Sequence, residues 1–583
     1  MNRRLRQNLG QAWPGNFASR SFRYLAILAL SVACVCLSSA AKAQSVSNAS
    51  NSVYYLHGRI YTNDPQHPWA SAMSVRDGKI TCVGSIEQIM LDCGGGDEGA
   101  ETVQLHGHLV LPGFNDAHVH LGAAGKDLRS VRLNGVASIK ELQQRLAATV
   151  PGHKKGEWIT GGGWDQTLWT EKTFPNKGQL DAIAPDNPVF FSHISGHVAV
   201  ANSLALKVAE ITKDTPNPQG GEFERDTSGE TTGLLKEDSA MGLVAQYIPD
   251  PSEEQRRRGI QMVLADLAKY GVTSVQDNSE WEDFQVYRQL KEEGQLTVRI
   301  TEWLHFNTPL PDLQNMRSQG GTTDPWLRTG ALKMVLDGAL GSRTAAMLAP
   351  YSDDPSTSGI LIMDPVKLRQ MAIERDKAGF QLNFHAIGDR ANRVALDAFE
   401  AVEKANGPRD RRNRVEHAQV VSPEDFARFA SLKVIASMQP SHQTSDMRWA
   451  EQRVGPERIK GAYAWATMEK HGVRLAFGTD YDVEPINPMR GLHACVTREL
   501  PDGGPPGGWQ PQEKISLDDC IRGYTSGSAY GEFDEGWKGQ LTRGKAADFI
   551  VLSDDLTKIP PADYVKTHIL RTVVDGRTVY AAQ

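Results

Sequence analysis

The chain has 583 residues, 40% of them hydrophobic and 23% charged, with a formal net charge of -7 and a mean hydropathy of -0.41. That composition supplies a large core, which excludes a mainly disordered protein, and an isoelectric point near 6.2 excludes electrostatic capture of nucleic acid, which needs a basic face. The length has room for about three or four units, or for one α/β barrel of roughly 250 residues or more beside a smaller part, and two structural parts are expected.

The chain opens on an address. Arg3, Arg4, Arg6, Arg20 and Arg23 precede an apolar run over 25–37 and the small-residue site Ala41-Lys42-Ala43, the pattern of a cleaved export signal over 1–43, with Gln44 as the first mature residue. The run is too short to span a bilayer comfortably. A periplasmic or secreted protein with no stable membrane insertion after cleavage is therefore expected. Cys34 raises a lipoprotein alternative, but Ser31 stands where such sites carry a large aliphatic residue. Once the signal is gone, Cys82, Cys93, Cys495 and Cys520 remain; Cys82 with Cys93 and Cys495 with Cys520 are plausible disulfides, and the four thiols permit other pairings.

Over 44–110 the pattern is short alternating runs at 52–61, 72–76 and 79–83, with Asp77-Gly78 as a hairpin turn. The far C-terminus, 536–583, repeats it with runs at 548–552 and 569–580 around Asp575-Gly576. The two chain ends are expected to combine into one small β-sandwich flanking a central domain.

Within 111–535, eight strand-like runs recur with helical spacers: 114–118, 272–276, 298–304, 331–336, 381–385, 413–417, 434–438 and 474–477. Alternating strands and helices argue for parallel βα units, and eight is the number of a closed (β/α)8 TIM barrel. The gap between the first two runs is far longer than one βα unit and predicts an insertion at about 130–265, with a helix over 139–150, the piece Gly161-Gly-Gly-Trp-Asp-Gln, a strand over 188–192 and a polar loop over 214–232. An insertion after the first strand is expected over the barrel mouth, shaping the substrate pocket. The clusters Arg256-Arg257-Arg258 and 409–414 read as solvated surface.

The candidate chemistry sits at the strand ends. The first strand ends in Leu109-Val-Leu-Pro-Gly-Phe-Asn-Asp-Ala-His-Val-His120, and side chains at i and i+2 leave one face of a strand, so His118 and His120 point together. Strand four carries Lys333, strand five ends at His385, strand six at His417, and strand eight runs into Asp480. Four histidines and a carboxylate at one end of one barrel suit zinc or a similar divalent ion.

This arrangement resembles the amidohydrolase superfamily. Lys333-Met-Val-Leu-Asp-Gly-Ala-Leu-Gly-Ser-Arg-Thr-Ala345, His385-Ala-Ile-Gly-Asp-Arg390, Val415-Glu-His-Ala-Gln419, Ser437-Met-Gln-Pro-Ser-His442 and Gly544-Lys-Ala-Ala-Asp-Phe549 look like the branch that contains N-substituted formamide deformylases. The resemblance implies one or two divalent ions, with His118 and His120 on the buried ion, His385 and His417 on a second, Lys333 N-carboxylated as a bridge, and Asp480 both as ligand and as the base, then acid, of hydrolysis by metal-activated water. His197, Arg343, His442 and Tyr481 are candidates for contacts to the substrate's polar groups, and Trp164, Trp169, Trp449 and Tyr481 for apolar walls.

The expected activity is hydrolysis of a non-peptide carbon–nitrogen bond in a small molecule, an N-substituted amide or formamide that is neutral or weakly charged, because no Lys/Arg cluster lies beside these motifs to clamp a phosphoester. A mononuclear deaminase of the same superfamily is the nearest alternative; it would place Glu three residues after the strand-five histidine, where this chain has Gly388. A non-catalytic periplasmic binding protein is the alternative from another class. Neither a nucleic-acid nor a membrane partner is expected, and a homodimer is compatible with the chain.

Overall fold

The computed structural model describes residues 52–93 and 100–582, so the expected export signal lies outside the described residues. Its centre is an eight-stranded, all-parallel sheet that runs in sequence order: β1 (Phe114–Val119), β2 (Val272–Asp277), β3 (Arg299–His305), β4 (Leu327–Val335), β5 (Leu382–Ala386), β6 (Arg414–His417), β7 (Ile435–Met438) and β8 (Leu475–Phe477). These are the eight runs expected from sequence. The strands are buried almost throughout, as parallel strands covered on both faces must be.

The sheet curls until its first and last strands meet at their C-terminal ends. Val119 bridges Tyr481, the Asp480 N–H donates to the His118 carbonyl at 2.8 Å, and the His120 N–H donates to the Tyr481 carbonyl at 2.6 Å. Closure thus places the H-x-H segment beside Asp480 across some 360 residues of sequence. The barrel interior is partly polar. Arg414 is completely buried there, donating to Glu416 Oε1 at 2.8 Å and the Ala117 carbonyl at 2.8 Å, with its guanidinium 4.9 Å from the Trp303 ring.

Amphipathic helices cover the outside. Asp389–Asn406 is representative: it buries Ala391, Ala395, Leu396, Phe399 and Val402 and stops at Gly407, whose φ of 77° only glycine adopts freely.

The two chain ends do pack as a pair of sheets. One holds Lys79–Gly84, Ala72–Arg76, Ser52–Leu56 and Glu101–Gln104; the other joins Arg577–Ala581, Ile569–Val574 and Phe549–Leu552 to Leu109–Pro112, Arg59–Tyr61 and Trp69–Ala70. Tyr55, Met73, Val110, Phe549 and Val573 fill the space between them. Both Asp-Gly turns have positive φ at each residue, 50° and 73° at Asp77-Gly78 and 53° and 72° at Asp575-Gly576, as tight hairpin turns require.

The insertion between β1 and β2 is a subdomain with a six-stranded sheet in the order Glu222–Arg225, Thr231–Lys236, Val198–Ala201, Val189–His193, Ile159–Trp164, Val131–Arg132. The predicted helix is present as Ile139–Thr149, capped by the Ser138 hydroxyl accepting from the Glu141 N–H. The expected polar loop over 214–232 is corrected in part, because its second half forms an antiparallel hairpin. Phe223 and Leu235 pack in one core and Leu234 in another, on the opposite face, and the intervening Asp226, Ser228 and Gly229 mask the signal by making the turn.

Cys82 and Cys93 are joined. The second expected disulfide is absent: Cys495 and Cys520 are buried free thiols, hydrogen-bonded to each other, with burial pushing Cys520 well up.

Candidate metal centre

Positioning begins with the backbone at the barrel's C-terminal end. His417 and Asp480 have φ of 73° and 58°, a left-handed conformation that is uncommon for non-glycine residues and characteristic of functional sites. It ends β6, and the link after β8, in sharp turns. A cavity of about 430 Å³ opens there, lined by all six expected ligands, His118, His120, Lys333, His385, His417 and Asp480, together with His442. The structure therefore brings together residues that the sequence separates by hundreds of positions.

Three imidazoles have Nδ1 engaged by the protein, which sets the tautomer and turns Nε2 towards the cavity. His118 donates from Nδ1 to Glu416 Oε2 at 2.9 Å, His120 from Nδ1 to the Asn278 carbonyl at 3.0 Å, and His417 from Nδ1 to Gln439 Oε1 at 2.7 Å. The Nε2 atoms of His118 and His417 keep lone pairs, and that of His120 faces Asp480 Oδ1 at hydrogen-bond distance, 3.0 Å. His385 is turned the other way, with Nε2 3.4 Å from Asp337 Oδ1, and so presents Nδ1.

The free nitrogens converge on one carboxylate. His120 Nε2 is 3.0 Å and His118 Nε2 3.5 Å from Asp480 Oδ1; His442 Nε2 is 3.5 Å from Asp480 Oδ2. Lys333 Nζ lies 2.8 Å from His118 Nε2.

At His118 and His417 the electrostatics favour neutral imidazoles, while at His120 burial is outweighed by the Asp480 carboxylate, which raises it. Burial, then the Lys333 charge, pushes His118 down to about 4, and burial, then His385, holds His417 well below its ordinary value; both are neutral imidazoles near neutral pH. Burial lowers Lys333 to about 8. Burial raises Glu416, but Arg414 and the hydrogen bond from His118 outweigh it and bring it to about 2. For Asp480 burial is likewise opposed by the facing imidazoles, which hold the carboxyl well below the usual range.

The residues fit a divalent ion. Neutral nitrogens and an ionised carboxylate oxygen are the donor set of zinc. His118, His120 and Asp480 offer atoms all within 4.8 Å of one another, and the buried Nε2 of His442 has no hydrogen-bond partner, an expensive condition unless something else engages it.

The remaining wall divides by polarity. Val335, Leu340, Ile387, Trp449 and Val483 make an apolar side, and Gln419, Asp446 and Glu484 a polar one; among the described residues, Lys333 is the one lysine or arginine lining the cavity. Of the four candidate substrate contacts, only His442 lies there. His197 is on the insertion's surface, 2.9 Å from exposed Glu237. Arg343 is held by Asp353 at 3.0 and 2.9 Å, and Tyr481 is buried, using its carbonyl to close the barrel.

The insertion supplies none of the lining residues, which corrects the expectation that it shapes this pocket. Trp164 and Trp169 are instead its core. The strand-to-helix loops of the barrel reach inward far enough to wall the site themselves. Glu416, Asn278, Gln439 and Asp337, which hold the imidazoles, were missed in the sequence. Arg414 and Glu416 carried a readable signal: two charged residues at i and i+2 in a strand otherwise expected to be buried.

A model of the amidohydrolase family matches residues 101–580. The chain belongs to that family. It is 36% identical over 540 residues to the protein LONG AFTER FAR-RED 3 of Arabidopsis thaliana, covering 90% of this chain and 91% of that one. Against an N-substituted formamide deformylase of Arthrobacter pascens it is 27% identical over 542 residues, covering 89% and 97%. The crystal structure of a metal-dependent hydrolase from Pyrococcus furiosus superposes with a TM-score of 0.72 at 31% identity, covering 86% of this chain and 99% of that one. This amidohydrolase is thus a metal-dependent hydrolytic enzyme with a (β/α)8 barrel and a terminal β-sandwich.

Proposed function

We propose that the enzyme hydrolyses a non-peptide carbon–nitrogen bond, that of a small N-substituted amide or formamide, outside the cytoplasm. The observation that carries this reading is Asp480: ionised, buried, and placed between two sets of imidazoles in a cavity that also has an apolar side.

A divalent ion, proposed to be zinc, held by His118 Nε2, His120 Nε2 and Asp480 Oδ1 would lower the pKa of a water molecule and polarise the substrate carbonyl. Asp480 then takes the water's proton and delivers it to the departing nitrogen, as base and afterwards acid. Glu416 and Asn278 keep His118 and His120 in the tautomer that presents Nε2. Trp449, Leu340 and Val483 receive the apolar group on nitrogen and exclude water beside the reacting bond. With burial lowering its amine to about 8, Lys333 has a neutral fraction near neutral pH, the form that dissolved CO₂ carboxylates, and a carboxylate on Nζ would add an anionic ligand.

The deaminase alternative loses ground at residue 388. The Gly388 N–H donates to Asp337 Oδ2 at 2.8 Å, and a side chain there would start 2.0 Å from the Ala346 carbonyl oxygen. No acid can stand at that place on this backbone.

The 27% identity to the formamide deformylase supports the substrate class. The test is a panel of N-benzyl and N-alkyl formamides and acetamides beside phosphotriesters, lactones and aminopyrimidines. Amide turnover is expected; turnover confined to phosphotriesters or lactones would sink the assignment, and ammonia released only from aminopyrimidines would restore the deaminase.

A further inference from the structure

We infer that the opposite, N-terminal end of the barrel carries a second binding site, for a small polyvalent oxyanion: a phosphate group or a dicarboxylate. It shares no lining residue with the metal centre and stands independently of the activity proposed there.

A cavity of about 600 Å³ opens at this end, where helices finish and strands begin, and four arginines line it. Arg317 comes from the last turn of the helix Leu310–Gly320, Arg328 from the start of β4, and Arg409 and Arg411 from the link before β6. The run 409–414 reads in sequence as solvated surface. That reading is corrected here, because the Arg411 side chain is only 9% exposed and Arg414 is completely buried. One short turn, residues 376–380, holds three of the guanidinium groups. Arg317 donates from Nη2 to the Ala378 carbonyl at 3.0 Å and lies over the Phe380 ring at 3.9 Å. Arg409 donates to Asp376 Oδ1 and, at 3.1 Å, to the Phe380 carbonyl. Arg411 donates to Asp376 Oδ1 at 2.8 Å and Oδ2 at 3.2 Å.

Three positive charges thus share the single carboxylate of Asp376, and the helix-end carbonyls beside them carry only partial charge. The other acids of the cavity are taken. Glu532 and Asp534 each pair with both Arg328 and Lys538, and Asp410 turns to Arg412 at 3.0 Å. Burial pushes Arg317 down with no carboxylate opposing it. Donors are in surplus as well as charge: among the described residues, Nη1 of all four arginines makes no hydrogen bond. Arg328 is the sharpest case, with a side chain 9% exposed that makes every contact through Nη2 and leaves Nε and Nη1 unused. Planar forks of this kind match the paired oxygens of phosphate and carboxylate, and the hydroxyls of Thr322 and Thr323 on the same wall add neutral donors. A net charge of -7 repels a long polyanion and limits the ligand to a small one.

The test is isothermal titration of the metal-loaded enzyme with inorganic phosphate and, separately, with succinate, each against chloride at equal ionic strength. Saturable binding of at least one of the two at a single site per chain is expected, and the anion that binds more tightly identifies the source. Arg317→Gln should weaken that binding at least about tenfold, as the loss of a charge-assisted hydrogen bond does, while ion content and amide turnover stay at the wild-type level. His120→Ala should bind the anion as the wild type does. Should Arg317→Gln fail to fold, Arg409→Gln takes its place with the same expected loss. Absence of saturable binding by both anions, or heats that chloride reproduces, would overturn the inference. So would binding that the arginine variant leaves undiminished or that His120→Ala abolishes, since the anion would then sit on the metal centre.

Discussion

The barrel mouth and the inserted subdomain both carry histidines and tryptophans, yet only the mouth makes a reactive site of them. In the insertion, Trp164 donates its indole N–H to the Phe191 carbonyl at 3.1 Å, Trp169 packs in the same core, and His197 finds a surface carboxylate. At the mouth, His118, His120 and His417 each have one nitrogen tied and one released into a cavity. The difference is topological. A closed parallel barrel aims the ends of distant strands at one axis, whereas the insertion's open sheet sends its aromatic residues into its own core.

The largest expected effect breaks that contrast from the barrel side. His120→Ala or Asp480→Asn should lower turnover at least about a thousandfold with little change in Tm; Asp480→Asn should retain more of the bound ion than His120→Ala does, and equal loss of ion and activity in both would demote Asp480 to a plain ligand. The matching change in the insertion is Trp164→Ala. It removes a fully buried indole and should cost about 3–5 kcal/mol of stability, read by denaturant unfolding, while folded molecules keep their ion content.

Glu416→Gln sharpens the contrast by touching no substrate. It weakens the partner of His118 Nδ1 and should lower ion affinity about 10- to 100-fold in a chelator competition, an effect with no counterpart in the insertion.

How much of this was legible depended on whether a residue's role follows from strand position. The eight strands, both Asp-Gly hairpins and the six residues from His118 to Asp480 could be read because periodicity and strand ends are local features. Glu416, Asn278, Gln439 and His442 could not be assigned their places, because they act across strands, through a loop carbonyl or from the first turn of a helix, and such contacts exist only once the barrel closes. Trp164 misled for the complementary reason: its Gly-rich surroundings look like a loop, but β-pairing with Val189–His193 makes them a buried strand.

Smaller effects lie away from both regions. Burial, then the charge of Asp519, raises Glu469 from 4.5 to about 7. A carboxyl raised on folding contributes stability that is fully present below the unfolded value and is lost as pH rises through the folded one. Glu469→Gln should therefore leave unfolding stability unchanged near pH 4 and raise it near pH 8, by about 1 kcal/mol once partial exposure is discounted. His197→Ala, at an exposed ion pair, should change stability by less than about 0.5 kcal/mol and leave turnover unaltered; a large loss of activity would return the insertion to the substrate pocket.

The most direct measurement of the central claim is turnover of the best amide substrate against bound ion, with the ion stripped by a chelator and restored by titrated zinc. Turnover should vanish with the ion and return in proportion to zinc bound in wild-type enzyme, but not in His120→Ala. Full turnover by chain from which all ion has been removed would contradict the account.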